Sequence, residues 1–460
     1  MKDNIWILTE ERPKESVVKT ILELLQKDFN ISLKIKNIVI KPIIKNSTFK
    51  FTYIVEGVRS KNLKKIYLKL VSGDSSFVDY LVCKQEHEPE DGDCSNILMA
   101  IEETKTSDKE SRNTGVSQRA TKFIYAKKYC PNAKLYMLYN EELENDEDKK
   151  PSDTNIFGTN ILLTLGVKIV GKSNLSWFKP FTSIDEVIDF KNEMKDPPDG
   201  NVPVKITKND DVIYISGRLA KPKDEGNIGH DPNIGTLSMI SGVLRALGWT
   251  RRIVITRHGT TQQYISRNKT NKFLYVCKLL NLEMDGLTIT YPDTYREKYW
   301  HYERMSEKVA SILLHIMCSN VGIRYIYENH AGCERGYFKN SNGVLITLPK
   351  KDIHGENLLI PDVIFSDTPN KNIYLIEGKK LSTLQVGLKE IEDYDSIEDE
   401  FIKIEYPEFN YYRYLSIFGG DYTFLPNRKI MLYLNSSGLI ILNKDLPLSF
   451  IKRFKKIRKG

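Results

Sequence analysis

The stretch 359-LIPDVIFSDTPNKNIYLIEGKK-380 admits few folds. Two apolar runs flank a turn rich in Pro, Asn, Asp and Lys, which reads as two strands joined by a short connection. Yet Asp362 opens the first run, and Glu377 and Lys379 close the second. A charged group on a core strand is costly unless something pairs with it. Side chains alternate along a strand, so Glu377 and Lys379, two residues apart, share a face. If the strands pair as a hairpin, Asp362 approaches Glu377 from the neighbouring strand. Two carboxylates converging on one spot repel each other unless a divalent cation lies between them. An adjacent ammonium then steers a water or stabilises charge on a phosphorane, which completes a kit for metal-assisted phosphodiester hydrolysis. The alternative is a surface hairpin whose Glu377 and Lys379 form an ordinary ion pair.

A second such arrangement lies near the N-terminus, in 76-SFVDYLVCKQ-85 followed by 97-ILMAIEETKT-106. Glu103 and Lys105 hold the Glu-x-Lys places at the end of an apolar strand. Asp79 is the partner acid, because an acid inside FVDYLV needs a reason. Its rivals Asp91 and Asp93 sit in 90-EDGDC-94, which reads as a turn. Glu102 points to the opposite face from Glu103 in a regular strand and is the weaker ligand candidate. Just beyond, 108-DKESRNTGVSQRATKF-123 supplies Arg112, Gln118, Arg119 and Lys122. Gln118 and Lys122, four apart, share a helix face that suits phosphate contacts beside a cleavage site, unless it is simply a solvated face.

A length of 460 residues implies two or three domains, and the sequence divides into 1–150, 151–290 and 291–460. The acidic stretch 141-EELENDEDKKPSD-153 reads as a linker, and 195-KDPPDGNVP-203 as a loop. Helices are expected over 15–29, 115–129, 236–247 (stopped at Gly248) and 304–320. A closing hairpin over 429–443 turns at Ser436-Ser437-Gly438. The outer segments share an order of parts: helix, strand with Asp, strand ending in Glu-x-Lys, helix, apolar strand (KLYMLYN and KIMLYLN). The net charge of +8 and the basic end 451-IKRFKKIRKG-460 are compatible with a polyanionic partner. Six scattered cysteines without a Cys-x-x-Cys pair fit a reducing cytosol, and no apolar run approaches membrane-spanning length. A soluble cytoplasmic protein without membrane contact is expected.

At Pro361-Asp362 and Glu377-Gly378-Lys379 the chain resembles the PD-(D/E)XK nuclease superfamily, and 101-IEETKTSDKESRNTGVSQRATKF-123 looks like type II restriction endonucleases. The resemblance covers that segment and the C-terminal strands well, and the middle of the chain loosely. It implies an α/β protein with two nuclease-like units, each a central mixed sheet flanked by helices, around a middle α/β recognition unit. It implies Mg²⁺ held by Asp79 and Glu103, and by Asp362 and Glu377, with Lys105 and Lys379 placing or helping to deprotonate the attacking water. The implied activity is sequence-specific cleavage of double-stranded DNA, by in-line attack of water that leaves a 5′-phosphate. With both sites working, a monomer cuts both strands and an asymmetric target is permitted; with one, a homodimer is needed. A structure-specific or repair nuclease, and a DNA-binding protein without catalysis, are the alternatives.

Three further motifs carry less. The string 253-IVITRHGTTQQ-263 resembles the Arg-His-Gly motif of histidine phosphatases, but it lies mid-chain rather than at the opening strand of a domain. His330 and Cys333 have a metal-ligand spacing without a second pair. In 228-IGHDPNIG-235, His230 and Asn233 suit contacts to base edges or, more plainly, a turn and helix cap. Arg257, with Arg251 and Arg252, makes this region locally basic and consistent with DNA contact.

Overall fold

The structure, a computed structural model, describes residues 2–73, 76–104, 115–139, 150–172, 175–196, 202–218, 220–222, 228–230, 233–256, 258, 260–267, 272–289, 298–302, 308–328 and 336–459. Across them the chain is mixed α/β, with helices interleaved among several sheets. It forms two compact units. One comprises Gly73–Cys83 and Gly92–Trp300; the other comprises Met1–Ser72, Lys84–Asp91 and His301–Gly460. The segment 1–150 contributes to both.

In the unit built on Gly92–Trp300, the strands Tyr80–Gln85 and Ile97–Glu103 pair antiparallel. Lys134–Leu138 then adds parallel to Ile97–Glu103, and Val167–Val170 parallel to Lys134–Leu138. The first parallel step is bridged by the helix Gly115–Tyr129, as parallel neighbours require a crossover. A second sheet of Lys205–Lys208, Val212–Ser216, Arg252–Ile255 and Glu283–Met284 accompanies it, with the helix Asn233–Ala246 as crossover between its parallel central strands. That helix stops where expected, at Gly248, whose φ of +93° lies in the left-handed region glycine tolerates. It packs closely on the helix Gly115–Tyr129: a Cβ on Gly242 would stand 2.3 Å from Ile124 Cδ1.

In the other unit, six strands form one mixed sheet in the order Arg324–Glu328, Val363–Asp367, Asn372–Lys380, Asn410–Phe418, Ile430–Leu434, Ile440–Leu442. Val363–Asp367 and Asn372–Lys380 pair antiparallel, and the next two strands add in parallel. The central strands are buried on both faces, as continuous Ile/Val/Leu/Tyr runs predict. One face is covered by the helix Lys308–Asn320, which is apolar nearly all round and buried from Val309 to Cys318. The other face packs Ile373, Leu375, Leu415 and Ile417 against Ile391, Tyr394, Ile397 and Ile402 of a helical run over 384–405. The closing hairpin turns on Asn435, whose side-chain oxygen accepts from the amides of Ser437 and Leu439 at 3.1 and 2.8 Å.

The two sheets share more than an order of elements. In both, an antiparallel hairpin is followed by a helical crossover and a parallel strand beside the second hairpin strand. The counterpart of Lys134–Leu138 is therefore Asn410–Phe418, not the later KIMLYLN strand that resembles it in letters.

The helix Leu384–Glu390 opens the run over 384–405 and lies tight on the sheet at Gly387, where a Cβ would stand 2.7 Å from Lys379 Cγ and 3.1 Å from Leu415 Cδ2. Replacing a helix glycine by alanine ordinarily gains about 1 kcal/mol, and by valine less. Gly387→Val should instead cost about 1–3 kcal/mol from overpacking. A urea unfolding midpoint at or above the wild-type value would contradict this packing.

Candidate active sites

The strand pairing sets both acidic constellations. Val363 pairs with Ile376, so one step further along the ladder Asp362 faces Glu377 across the hairpin. Tyr80 pairs with Ile101, so Asp79 in the same way faces Glu102. Residues directly opposite on antiparallel strands point to one face.

The hydrogen bonds repeat the match atom for atom. The Asp362 amide donates to Glu377 Oε2 at 3.2 Å, and the Gly378 amide donates to Asp362 Oδ2 at 2.9 Å. The Asp79 amide donates to Glu102 Oε2 at 3.2 Å, and the Glu103 amide donates to Asp79 Oδ2 at 2.7 Å. Each Asp and Glu thus grips the other's strand through an amide. Each Glu also receives an ammonium on Oε1: Lys379 Nζ lies 2.6 Å from Glu377 and Lys122 Nζ lies 2.6 Å from Glu102.

The sequence-expected residues fall out unevenly. Asp362, Glu377 and Lys379 are brought together. Asp79 is brought to Glu102 rather than to the Glu103 carboxylate, which lies on the other side of the strand, where Oε2 accepts from the Tyr80 hydroxyl at 2.9 Å. Thr104, not a lysine, stands two residues beyond Glu102. The ammonium comes instead from Lys122 on the helix Gly115–Tyr129, expected above as a phosphate contact, and it also lies 3.4 Å from Asp79 Oδ1. The half-buried Arg119, one turn earlier, adds positive charge near Glu102. The rival acids have other duties: Asp93 caps the Ser95 amide at 2.8 Å, and Asp91 accepts from the Tyr302 amide at 2.6 Å.

Lys105, Arg112, Arg257, the linker over 141–149, and the pair His330 and Cys333 lie outside the described residues. Gln118 lies in the helix Gly115–Tyr129, His230 ends the strand Ile228–His230, and Asn233 opens the helix Asn233–Ala246. The side chains of these three are likewise outside the description. His258 follows the strand Arg252–Ile255, exposed and with a φ of +40°.

The electrostatics of the two sites run in the same direction. Burial, reinforced by Asp79, pushes the Glu102 carboxyl up to about 8, against the opposing pull of Lys122 and Arg119. Burial would lower the Lys122 ammonium, but Glu102 and Asp79 reverse that and hold it charged well above the usual lysine range. Glu377 is likewise raised, first by burial and then by Asp362, while hydrogen bonds from Lys379 and Tyr394 pull it back. Lys379 bridges Glu377 and Glu390, the latter at 2.7 Å, and is raised by both against its own burial. The Tyr394 hydroxyl donates to Glu377 Oε2 at 2.6 Å.

Glu390 and Tyr394 both ride on the run over 384–405, which Arg413 fastens to the sheet. Its guanidinium reaches Glu398 Oε1 and Asp395 Oδ1, each at 2.5 Å, and the carbonyls of Ile391 and Glu392 at 3.3 and 2.8 Å.

A divalent cation suits these donors. Two carboxylates on one face, with one raised by the other's charge, are relieved by a cation that binds hard oxygen ligands. Among the described residues no group of three or more His, Cys, Asp or Glu side chains converges as a ready metal cage. A pair of carboxylates with the remaining positions left to water and phosphate is the usual protein share for Mg²⁺.

Comparison of the chain with known protein families, with curated proteins and with solved structures yields no match. No helix among the described residues is long and apolar enough to cross a membrane.

Because the folded state raises Glu102 from 4.5 to about 8, it favours the protonated carboxyl. The resulting stability is complete below the lower value and is lost as pH rises through the upper one. Without divalent cation, raising the pH from about 5 to about 9 should destabilise the wild type relative to Glu102→Gln by on the order of a few kcal/mol. Parallel stability curves for the two proteins across that range would refute the assignment. Arg413→Ala should cost roughly 1.5–3 kcal/mol through its lost charged hydrogen bonds. It should also speed amide exchange over 384–405 before the rest of the sheet opens.

Proposed function

We propose that this chain is a sequence-specific, Mg²⁺-dependent endonuclease of double-stranded DNA, of restriction type, with one active site at Asp79–Glu102–Lys122 and another at Asp362–Glu377–Lys379. The observation that carries this reading is the repeated amide-for-carboxylate exchange, with an ammonium 2.6 Å from the glutamate in both places. An ordinary surface ion pair would account for one glutamate and one lysine. It would not account for a buried glutamate held face to face with a half-buried aspartate, twice, on the same pattern of strands.

In each site the aspartate and glutamate hold the cation. Bound there, Mg²⁺ supplies a Lewis acid for the phosphoryl oxygens and an acidified water as nucleophile. Lysines held so firmly protonated act as cations toward the charge that develops on the phosphate, rather than as bases. A water oxygen bonds to phosphorus as the bond to the 3′-oxygen breaks, leaving a 3′-hydroxyl and a 5′-phosphate. The half-buried Arg119, beside Lys122 on its helix, suits a neighbouring phosphate. The helix Asn233–Ala246 and the basic strand end at Arg251 and Arg252 are the proposed recognition region. The chain works as a monomer if both sites cut, and otherwise as a homodimer, in the cytoplasm.

Supercoiled plasmid with a mapped target tests the reading. Glu102→Ala and Glu377→Ala should each leave a nickase, and the two nicks should lie on opposite strands. Each variant's lost cut should slow by more than about 100-fold, since losing even an outer partner of a metal ligand costs 10–100-fold. Glu103→Ala should still linearise the plasmid. One silent variant and one dead enzyme would reduce the chain to a single-site nuclease. Cleavage dependent on DNA structure rather than sequence would favour a repair nuclease, and no cleavage with Mg²⁺ at any concentration would remove the nuclease reading.

A further inference from the structure

The two sites differ at one carboxylate oxygen. Glu102 Oε2 accepts from the Asp79 amide, and no hydroxyl among the described residues reaches it. Glu377 Oε2 accepts from the Asp362 amide and, in addition, from the Tyr394 hydroxyl at 2.6 Å. With Lys379 on Oε1, the Glu377 carboxylate is held by three donors from three directions. Its plane cannot turn without breaking at least one of them.

The Tyr394 ring is itself fixed. It is 2% exposed and packs in the core with Leu375, Ile397 and Leu415. The short helical pieces on either side are tied to the sheet through Arg413, which holds Asp395, Glu398 and the carbonyls of Ile391 and Glu392. A hydroxyl on such a mount is a stationary donor. It is also a neutral one: burial, with Glu377 beside it, keeps the phenol protonated far above its ordinary range. A carboxylate oxygen has two lone pairs: Oε2 uses both on the Asp362 amide and the phenol, which leaves one on Oε1, beside Lys379, free to ligate a cation. A second ammonium in the same place would compete with that cation for charge. Outer partners that orient a ligand in this way tune metal affinity as strongly as many direct contacts.

We propose that Tyr394 is a positioning residue for the divalent cation of the Asp362 site, orienting Glu377 for ligation there and in that site alone. This rests on the two-site reading above. It makes the sites unequal: the Asp362 site is preorganised by a donor that, among the described residues, the Asp79 site lacks.

Mn²⁺ is the probe, because free and protein-bound Mn²⁺ are distinguished by paramagnetic resonance without any reaction. Full-length wild type should bind two ions per chain. Tyr394→Phe keeps the ring and removes the hydroxyl. It should bind one ion as before and the other about 10–100-fold more weakly. The unchanged ion at the Asp79 site reports that the variant is folded. In Glu102→Gln, where that site is lost, the remaining ion should keep its wild-type affinity, and adding Tyr394→Phe should weaken it by the same factor. With end-labelled duplex, the Mn²⁺ concentration for half-maximal cutting should rise for one strand only, with the saturating rate changed far less.

A Tyr394→Phe protein that binds both ions like the wild type overturns the proposal, since ring packing is then all that matters. Loss of both ions together overturns it too, as a general effect on folding. If the wild type binds two ions but cuts no DNA, the nuclease reading fails while the Tyr394 comparison still decides the positioning role. If the wild type binds neither ion, both readings fall.

Discussion

Everything at the candidate sites depends on one exchange of hydrogen bonds across a hairpin. An aspartate at the mouth of one strand accepts the amide that follows a glutamate, and the glutamate accepts the aspartate's own amide. The bonds fall just where the regular ladder gives out: Asp79 and Asp362 each precede the first residue of their strand. Backbone groups that would otherwise be orphaned at a strand end are thereby satisfied by carboxylates. The acids have a structural reason to be there, and the cost is two like charges facing each other in a buried setting. Each ammonium offsets part of that cost, and a divalent cation would offset the rest.

What surrounds the exchange differs between the sites. The Asp362 site draws its ammonium from the strand itself and then surrounds it with groups from the helical run over 384–405, where Glu390 steadies Lys379 and Tyr394 steadies Glu377. The Asp79 site draws its ammonium from the helix, so that Lys122 lies against both acids at once. The same position around the glutamate is thus filled from two different elements, on sheets with the same local topology. Chemistry at such a site follows from where a charge ends up, not from which residue in the chain supplies it.

Much of this was legible from sequence, for identifiable reasons. The C-terminal constellation is local: Asp362, Glu377 and Lys379 fall within one hairpin, and period-two alternation places the last two on one face. The helix Glu15–Phe29 and the stop of Asn233–Ala246 at Gly248 also follow directly from periodicity and from glycine's backbone freedom. In the N-terminal constellation the letters Glu103-Thr104-Lys105 complete the pattern, whereas the register brings Glu102 opposite Asp79. That register is fixed by the Tyr80–Ile101 pairing and carries an irregularity at Val82 and Cys83, which no periodicity reveals. Lys122 was visible only as a helix residue with a basic face, since the fold alone brings it across to Glu102. Tyr394 gave no signal, because a tyrosine among the acids of a long acidic helical stretch reads as packing.

The borrowed lysine has an entropic consequence. Lys379 is two residues from Glu377, so their encounter closes almost no loop, and a disturbance of the neighbouring helices leaves it close by. Lys122 is twenty residues from Glu102, and the chain between them contributes a closure cost that only tertiary packing repays. That packing is the contact of the helix Gly115–Tyr129 with the helix Asn233–Ala246, made close by Gly242 against Ile124. A local opening of that interface would strip the Asp79 site of its ammonium and leave a buried and a half-buried carboxylate facing each other. The Asp362 site would survive an equivalent loosening with its ammonium still tethered. In a chain with two such centres, the tether length of one lysine sets which centre is lost first when the fold begins to breathe.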